Sequence, residues 1–294
     1  LNRDHLGRIA RYKARLVAKR FSQVEGVDYT ETFSPYDCCS ALRTVLAYAA
    51  TLDLDLPHLN IKTVFLHWKL EETIYMQQPE GFEIPEEGKI LQEPLRVAAG
   101  ITSEVREAEE ELETLALYPS DTEPYVFVSK DQKDLMVLVY VADFLLVRSP
   151  DDVDSIKRRL STRFSTTYLG LALFFLGLEM RRDKSGRTIT LSQPWYGDDI
   201  IRRFRMQECK PAKIPRPSGY KFHEQGSTEE VPTQLYQSAV GSLVYLGTGT
   251  RLGLAFAMGT ASVYLSCPTV HHWKGVHHVM RYLNSTQHVS LTLV

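Results

Sequence analysis

The sequence predicts an α+β fold, a sheet with packed helices followed by a mainly helical C-terminal part, and three stretches carry that expectation. Leu135-Met-Val-Leu-Val-Tyr-Val-Ala-Asp-Phe-Leu-Leu-Val147 reads as two buried strands turning on each other at Ala142-Asp143. Leu173 to Gln193 repeats the hairpin signal across the polar turn Asp183-Lys-Ser-Gly186. Beyond residue 233, the segments 236–246, 250–257 and 272–283 place apolar residues at helical spacing.

A chain of 294 residues with 44% hydrophobic content can bury the core of one large or two modest domains. No run approaches the roughly eighteen apolar residues of a membrane span, and the basic N-terminus lacks the apolar stretch of a signal peptide. No membrane partner is expected, and the setting is read as intracellular, cytoplasm or nucleus. Four cysteines, two of them adjacent at Cys38-Cys39, give no disulfide framework and agree with a reducing compartment. A start at Leu1 is read as a processed piece or a fragment of a longer frame.

In chain order, residues 1 to 20 hold Arg3, Arg8, Arg11, Lys13, Arg15, Lys19 and Arg20 against Asp4, although the whole chain carries a net charge of −2. Such a patch suits phosphate contact or a solvated strand edge. Leu42, Val45, Leu46 and Ala49 predict an amphipathic helix over 40–52. His58 to His67 alternates as a strand does, and Glu123 to Lys130 reads as another. Between them, Glu107-Ala-Glu-Glu-Glu-Leu-Glu113 is a helix-compatible acidic run, read as a solvated helix face.

Ser149-Pro150 before Asp151-Asp-Val-Asp starts a helix to about Phe164, with Ile156, Leu160 and Phe164 as its buried stripe. Tyr196 to Met206 suits a short helix. Residues 207–233, with Pro211, Pro215, Pro217, Gly219 and Gly226, read as a linker. Cys267, His271, His272, His277 and His278 are ligand types, but their spacing lacks the close pairing of structural zinc sites, and they are read as helix-face residues. Asp143 is either a turn residue bonding nearby backbone or a metal ligand at a hairpin tip.

Several motifs then carry a resemblance. Arg11-Tyr-Lys-Ala-Arg-Leu-Val-Ala-Lys-Arg-Phe-Ser-Gln23, Glu25 to Pro35, His58 to His67, Leu70 to Phe82, Tyr140-Val-Ala-Asp143, Cys209 to Pro215 and His272 to Leu283 resemble the reverse transcriptase domain of copia-type long-terminal-repeat retrotransposons. The resemblance implies a right-hand polymerase: fingers and first palm part at 1–125, palm at 126–206, linker at 207–233, and a helical thumb or connection region at 234–294. It implies a nucleotidyltransferase that extends an RNA or DNA primer-template with deoxynucleoside triphosphates, using two Mg²⁺ ions. Lys13 and Arg15 are its candidates for phosphate contact, and Gly177 for close approach to the primer end.

The same resemblance exposes a degenerate active site. Family members hold the ions on three aspartates, one in Asp-Val-Lys-Thr-Ala-Phe-Leu and two at the Tyr-Val-Asp-Asp turn, whereas this chain has Asn60, Ala142 and Asp143 there. Asp143 is the one expected catalytic and metal-binding aspartate that remains. The family's basic, aromatic segment is replaced by Val97 to Glu107, and its Arg-Pro-Asp-Ile by Arg251-Leu-Gly-Leu254. At about 3 kcal/mol for each lost carboxylate, the two replacements slow catalysis by roughly 10⁴. The expectation is a reverse transcriptase that is impaired or inactive. A non-catalytic nucleic-acid-binding module, or a decayed element fragment without a selected role, are the alternatives.

Overall fold

The computed structural model describes residues 2–3, 9–11, 38–62, 110–131, 134–140, 142–148, 153–163, 165–222 and 229–294. In chain order these form β1 (Asn2–Arg3), β2 (Ile9–Arg11), α1 (Cys38–Thr51), β3 (Pro57–Lys62), β4 (Leu117–Pro119), β5 (Val126–Ser129), β6 (Met136–Tyr140) and β7 (Asp143–Val147). Next come α2 (Val153–Arg163), β8 (Ser165–Leu171), β9 (Phe174–Phe175), β10 (Leu178–Asp183), β11 (Thr188–Ser192), α3 (Pro194–Arg203) and α4 (Thr233–Gly249). A 3₁₀ turn (Leu252–Leu254), α5 (Ala255–Ser262), α6 (Val270–Ser285) and β12 (Leu291–Leu293) complete the α+β architecture. The chain divides into two units, Lys13–Ala172, and Leu1–Tyr12 with Leu173–Val294.

In the first unit, an antiparallel sheet has strand order β4-β5-β6-β7-β3-β8. Its central strands are apolar without alternation because both faces are covered: Val137, Leu138, Val139, Phe144, Leu145 and Leu146 are all buried. One face packs Leu59, Ile61, Val137, Val139, Phe144 and Leu146 against Ile156 and Leu160 of α2. The predicted stripe of α1 is buried at Leu42, Val45, Leu46 and Ala49. Residues 110–114 form a short helical turn, anchored by buried Leu112 between exposed Glu110 and Glu113. One apolar residue thus docks the end of the acidic run while its charges stay in water.

The central hairpin turns one residue earlier than the sequence suggests. Asp143 is the first residue of β7, paired with Tyr140 across a two-residue loop. It is drawn out of the bend because it also pairs with Asn60 of β3. Phe164, the last residue of the predicted helical stripe, lies outside the described residues, as do Lys13, Arg15 and residues 104–109.

The second unit pairs β12-β11-β10-β9 antiparallel and packs α3 to α6 around a separate apolar core. In the hairpin turn, Asp183 Oδ1 accepts hydrogen bonds from Ser185 N, Ser185 Oγ and Gly186 N at 3.0, 2.6 and 3.1 Å, beside the backbone bond from Arg187 N to Lys184 O. Arg251 is buried and donates to Thr286 O at 2.8 Å and Thr286 Oγ1 at 2.5 Å. Its charge therefore sits against the carbonyl end of α6, where the helix dipole favours a cation.

Residues 207–222 contain neither helix nor strand, as their proline content suggests, yet they lie against α6. Arg281 Nε donates to Lys210 O at 2.7 Å, Ser285 Oγ to Ala212 O at 2.7 Å, and His278 Nε2 to Ile214 O at 3.0 Å. His271 Nε2 donates to Lys221 O at 2.9 Å and His272 Nε2 to Phe222 O at 3.1 Å. Three of these helix-face histidines, His271, His272 and His278, pin a strap of irregular chain to a helix. His272 also closes the capping box of α6, its Nδ1 accepting from Thr269 N at 3.0 Å.

That arrangement fixes the neutral imidazole. Burial pushes His272 below the ordinary histidine value, outweighing its bond to Phe222 O, and the neighbouring His271 adds to the shift. Burial likewise lowers His277, and lowers His278 with help from Arg281. In the unfolded chain these groups bind protons near pH 6.5. Folding stability is therefore full above about pH 6.5 and falls as the pH drops toward the folded-state values. Urea midpoints measured at intervals from pH 8 to 5 are expected to stay level above about 6.5 and decline below it. A midpoint that rises on acidification through that window contradicts the assignment.

Candidate active site

Strand register assembles the candidate site in the first unit. Asn60 on β3 lies directly across from Asp143 on β7, so their side chains leave the sheet on one face, at the spacing of a cross-strand pair. His58 precedes Asn60 by two residues, which puts it on the same face and diagonal to Asp143. The intervening Leu59 points the other way into the core and is fully buried. Ala142 is fixed beside them, because its carbonyl accepts from Ile61 N at 2.8 Å and lies 3.4 Å from Asn60 Nδ2.

The three polar side chains converge on one atom. Asp143 Oδ1 accepts from Asn60 Nδ2 at 2.9 Å and from His58 Nε2 at 3.0 Å. His58 is 9% exposed, and the Asp143 side chain 36%. Burial alone pushes the Asp143 carboxyl up, but the hydrogen bonds from His58 and Asn60, with the charge of His58, hold it below the ordinary carboxylate value. The group is a carboxylate at neutral pH, and its Oδ1 is satisfied by its own neighbours.

A pair of divalent ions in phosphoryl transfer calls for several hard oxygens, chiefly from carboxylates. This cluster offers one carboxylate whose Oδ1 already accepts from two donors, an imidazole, and an amide turned nitrogen-first toward it. The residues do not fit the two Mg²⁺ ions that the resemblance implies. Among the described residues, no three His, Cys, Asp or Glu side chains group so as to hold a metal.

The structure thus brings Asn60, Ala142 and Asp143 together as the sequence motifs suggest, and adds His58, which sequence reading passes over. Its signal was present, since a histidine two places before Asn60 in a strand must share its face. The second unit places Gly177 in the two-residue turn between β9 and β10, at φ +77° after Leu176 at φ +50°. The close approach to its α-carbon comes from Tyr245 of α4, whose hydroxyl lies 2.6 Å from where a Cβ would stand and donates to Leu176 O at 3.1 Å.

The chain matches the family described as reverse transcriptase (RNA-dependent DNA polymerase) over residues 2–217. It is 34% identical to the retrovirus-related Pol polyprotein from transposon TNT 1-94 of Nicotiana tabacum, across 97% of this chain and 22% of that protein. It is 33% identical to the Pol polyprotein from transposon RE2 of Arabidopsis thaliana, across 95% of this chain and 19% of that protein. The corresponding protein from transposon RE1 of the same plant is 32% identical over 95% of this chain. The chain therefore spans about a fifth of the length of these relatives. No solved structure matches it.

Proposed function

The chain belongs to the reverse transcriptase (RNA-dependent DNA polymerase) family, as a domain of the kind found in retrotransposon Pol polyproteins, and from that premise we propose that its polymerase chemistry is lost or nearly lost. Enzymes of this family depend on metal ions and act on nucleic acids. No helix among the described residues is long and apolar enough to cross a membrane.

The observation that carries the proposal is the cross-strand pair. Asn60 stands 2.9 Å from Asp143 in the position of a second carboxylate, and Ala142 has no side-chain ligand to offer. In the inherited reaction, a primer 3′-hydroxyl attacks the α-phosphate of a deoxynucleoside triphosphate and pyrophosphate leaves, with paired Mg²⁺ ions activating the nucleophile and neutralising the phosphates. With two of three ligands replaced, loss of about 3 kcal/mol at each leaves the rate roughly 10⁴ below that of a relative with all three. The six-stranded sheet of the first unit corresponds in this proposal to the palm. The hairpins of β9, β10 and β11, with Gly177 in the β9–β10 turn, are the primer-positioning element, and the helical region 234–294 is the thumb or connection.

Extension of a labelled primer on RNA and DNA templates by the purified chain, with Mg²⁺ and with Mn²⁺, tests the proposal. Extension is expected at no more than about 10⁻⁴ of the rate of an active relative. A comparable rate overturns it.

The basic N-terminus supports a second reading, a module that binds primer-template without extending it. Lys13 and Arg15 are its phosphate contacts, and binding is expected to weaken steeply as salt rises. Absence of binding at low salt excludes this reading and leaves a decayed element fragment.

A further inference from the structure

The poor fit between this cluster and a pair of metal ions has a positive counterpart. We infer that Asp143 now serves as a structural clasp: its Oδ1, accepting from His58 Nε2 at 3.0 Å and Asn60 Nδ2 at 2.9 Å, ties β3 to β7 and is indifferent to Mg²⁺. The inference rests on the functional reading above, but it concerns what the surviving aspartate does, not what the chain fails to catalyse.

Three observations converge on it. First, both donors come from β3 and their acceptor from β7, neighbouring strands at the interior of the six-stranded sheet. Each bond therefore joins strands that are distant in sequence but adjacent in the sheet. Second, the donors reach the same oxygen from His58, nearly buried, and from half-buried Asn60, so the bonds are partly shielded from competing water. Third, the backbone reinforces the join at the same level, where Ile61 N donates to Ala142 O at 2.8 Å. A divalent ion approaching Oδ1 has to displace both donors to reach it.

The alternative has the opposite energetic sign. In a carboxylate cluster built for ions, like charges repel when the ions are removed, so deleting one carboxylate relieves the metal-free protein and added metal stabilises the intact one. In a clasp, deleting the acceptor leaves the amide of Asn60 and the Nε2–H of His58 to find other partners.

Thermal unfolding of the 294-residue chain in EDTA and in about 10 mM MgCl₂ separates the two. Asp143→Ala is expected to lower Tm by about 4–8 °C in EDTA, and the unaltered chain is expected to melt at the same temperature with and without Mg²⁺. Asn60→Asp, which turns a donor into a second charge at 2.9 Å, is expected to melt lower than the unaltered chain in EDTA and to recover when Mg²⁺ or Mn²⁺ is added. An Asp143→Ala variant as stable as the parent or more so, or an unaltered chain that Mg²⁺ stabilises, overturns the clasp. If Asp143→Ala yields no folded protein, the Mg²⁺ response of the unaltered chain and the Asn60→Asp shift still decide. These outcomes are distinct from the fate of the functional reading. Primer extension by the unaltered chain speaks to catalysis, whereas the sign of the metal-free Tm change speaks to the clasp alone.

Discussion

Replacing Asn60 and Ala142 together by aspartate is expected to raise Mg²⁺-dependent primer extension by about 10⁴-fold over the unaltered chain. The expectation comes from register. Asn60 and aspartate differ by one atom type at the same shape, so Asn60→Asp puts a carboxylate oxygen about where Nδ2 now lies, 2.9 Å from Asp143 Oδ1. Two carboxylates that close do not both stay ionised without a cation between them, and this gives the variant an affinity for divalent ions. Ala142 begins beside that pair, since its carbonyl is held to β3 by Ile61 N. A carboxylate grafted there enters from a backbone position the fold already fixes.

Either replacement alone is expected to recover little, because a two-ion clamp acts as a unit and its parts are not additive. Single-turnover extension alongside Mn²⁺ titration checks each step. If the double variant binds Mn²⁺ and still does not extend, the defect lies in substrate handling, and Glu104, Glu107, Glu109, Glu110, Glu111 and Glu113 are the first suspects through repulsion of phosphates. If it binds no ion, the geometric argument fails at its root.

How far the molecule could be read from its sequence varies with the kind of signal. Strong periodicity transmitted well: the stripe Leu42, Val45, Leu46 and Ala49, the hairpin around Asp183 and the three C-terminal helices all follow from spacing that only one element satisfies. The pairing of Asn60 with Asp143 was legible through motif resemblance alone, since nothing local says which strand lies beside β7. The hairpin tip was misplaced by a residue because composition favours aspartate in a turn, while the cross-strand partner that extends the ladder is distant in sequence. His58 went unnoticed because it belongs to no pattern of its own and acquires meaning only once β7 is alongside. Tyr245 is a similar case: the turn glycine announces itself, but the side chain that needs the space lies 68 residues further on.

The strap before α4 shows the same limit with the largest energetic consequence. Phe222→Ala is expected to destabilise the chain by about 3–5 kcal/mol, although residue 222 falls in the stretch whose prolines and glycines suggest a linker. Composition reports that such a segment makes no ladder or helix; it is silent on whether the segment packs. Phe222 is 1% exposed and sits against Tyr220, with ring centroids 5.3 Å apart, and against Tyr264 at 6.3 Å. Gly275 of α6 lies beneath it so closely that a Cβ there would stand 2.5 Å from Phe222 Cζ. The helix has given up a side chain to admit the ring, and deleting the ring leaves a cavity lined on one side by backbone that cannot collapse into it. The bonds from His271 and His272 to the carbonyls of Lys221 and Phe222 hold the main chain in place, so the hole persists. Urea unfolding at pH 7.5 checks the value, and a ring at the end of a true linker would give a change within about 0.5 kcal/mol of zero. Gly275→Ala made in the Phe222→Ala background is expected to cost less than in the unaltered chain, because the added methyl then enters space the ring has vacated.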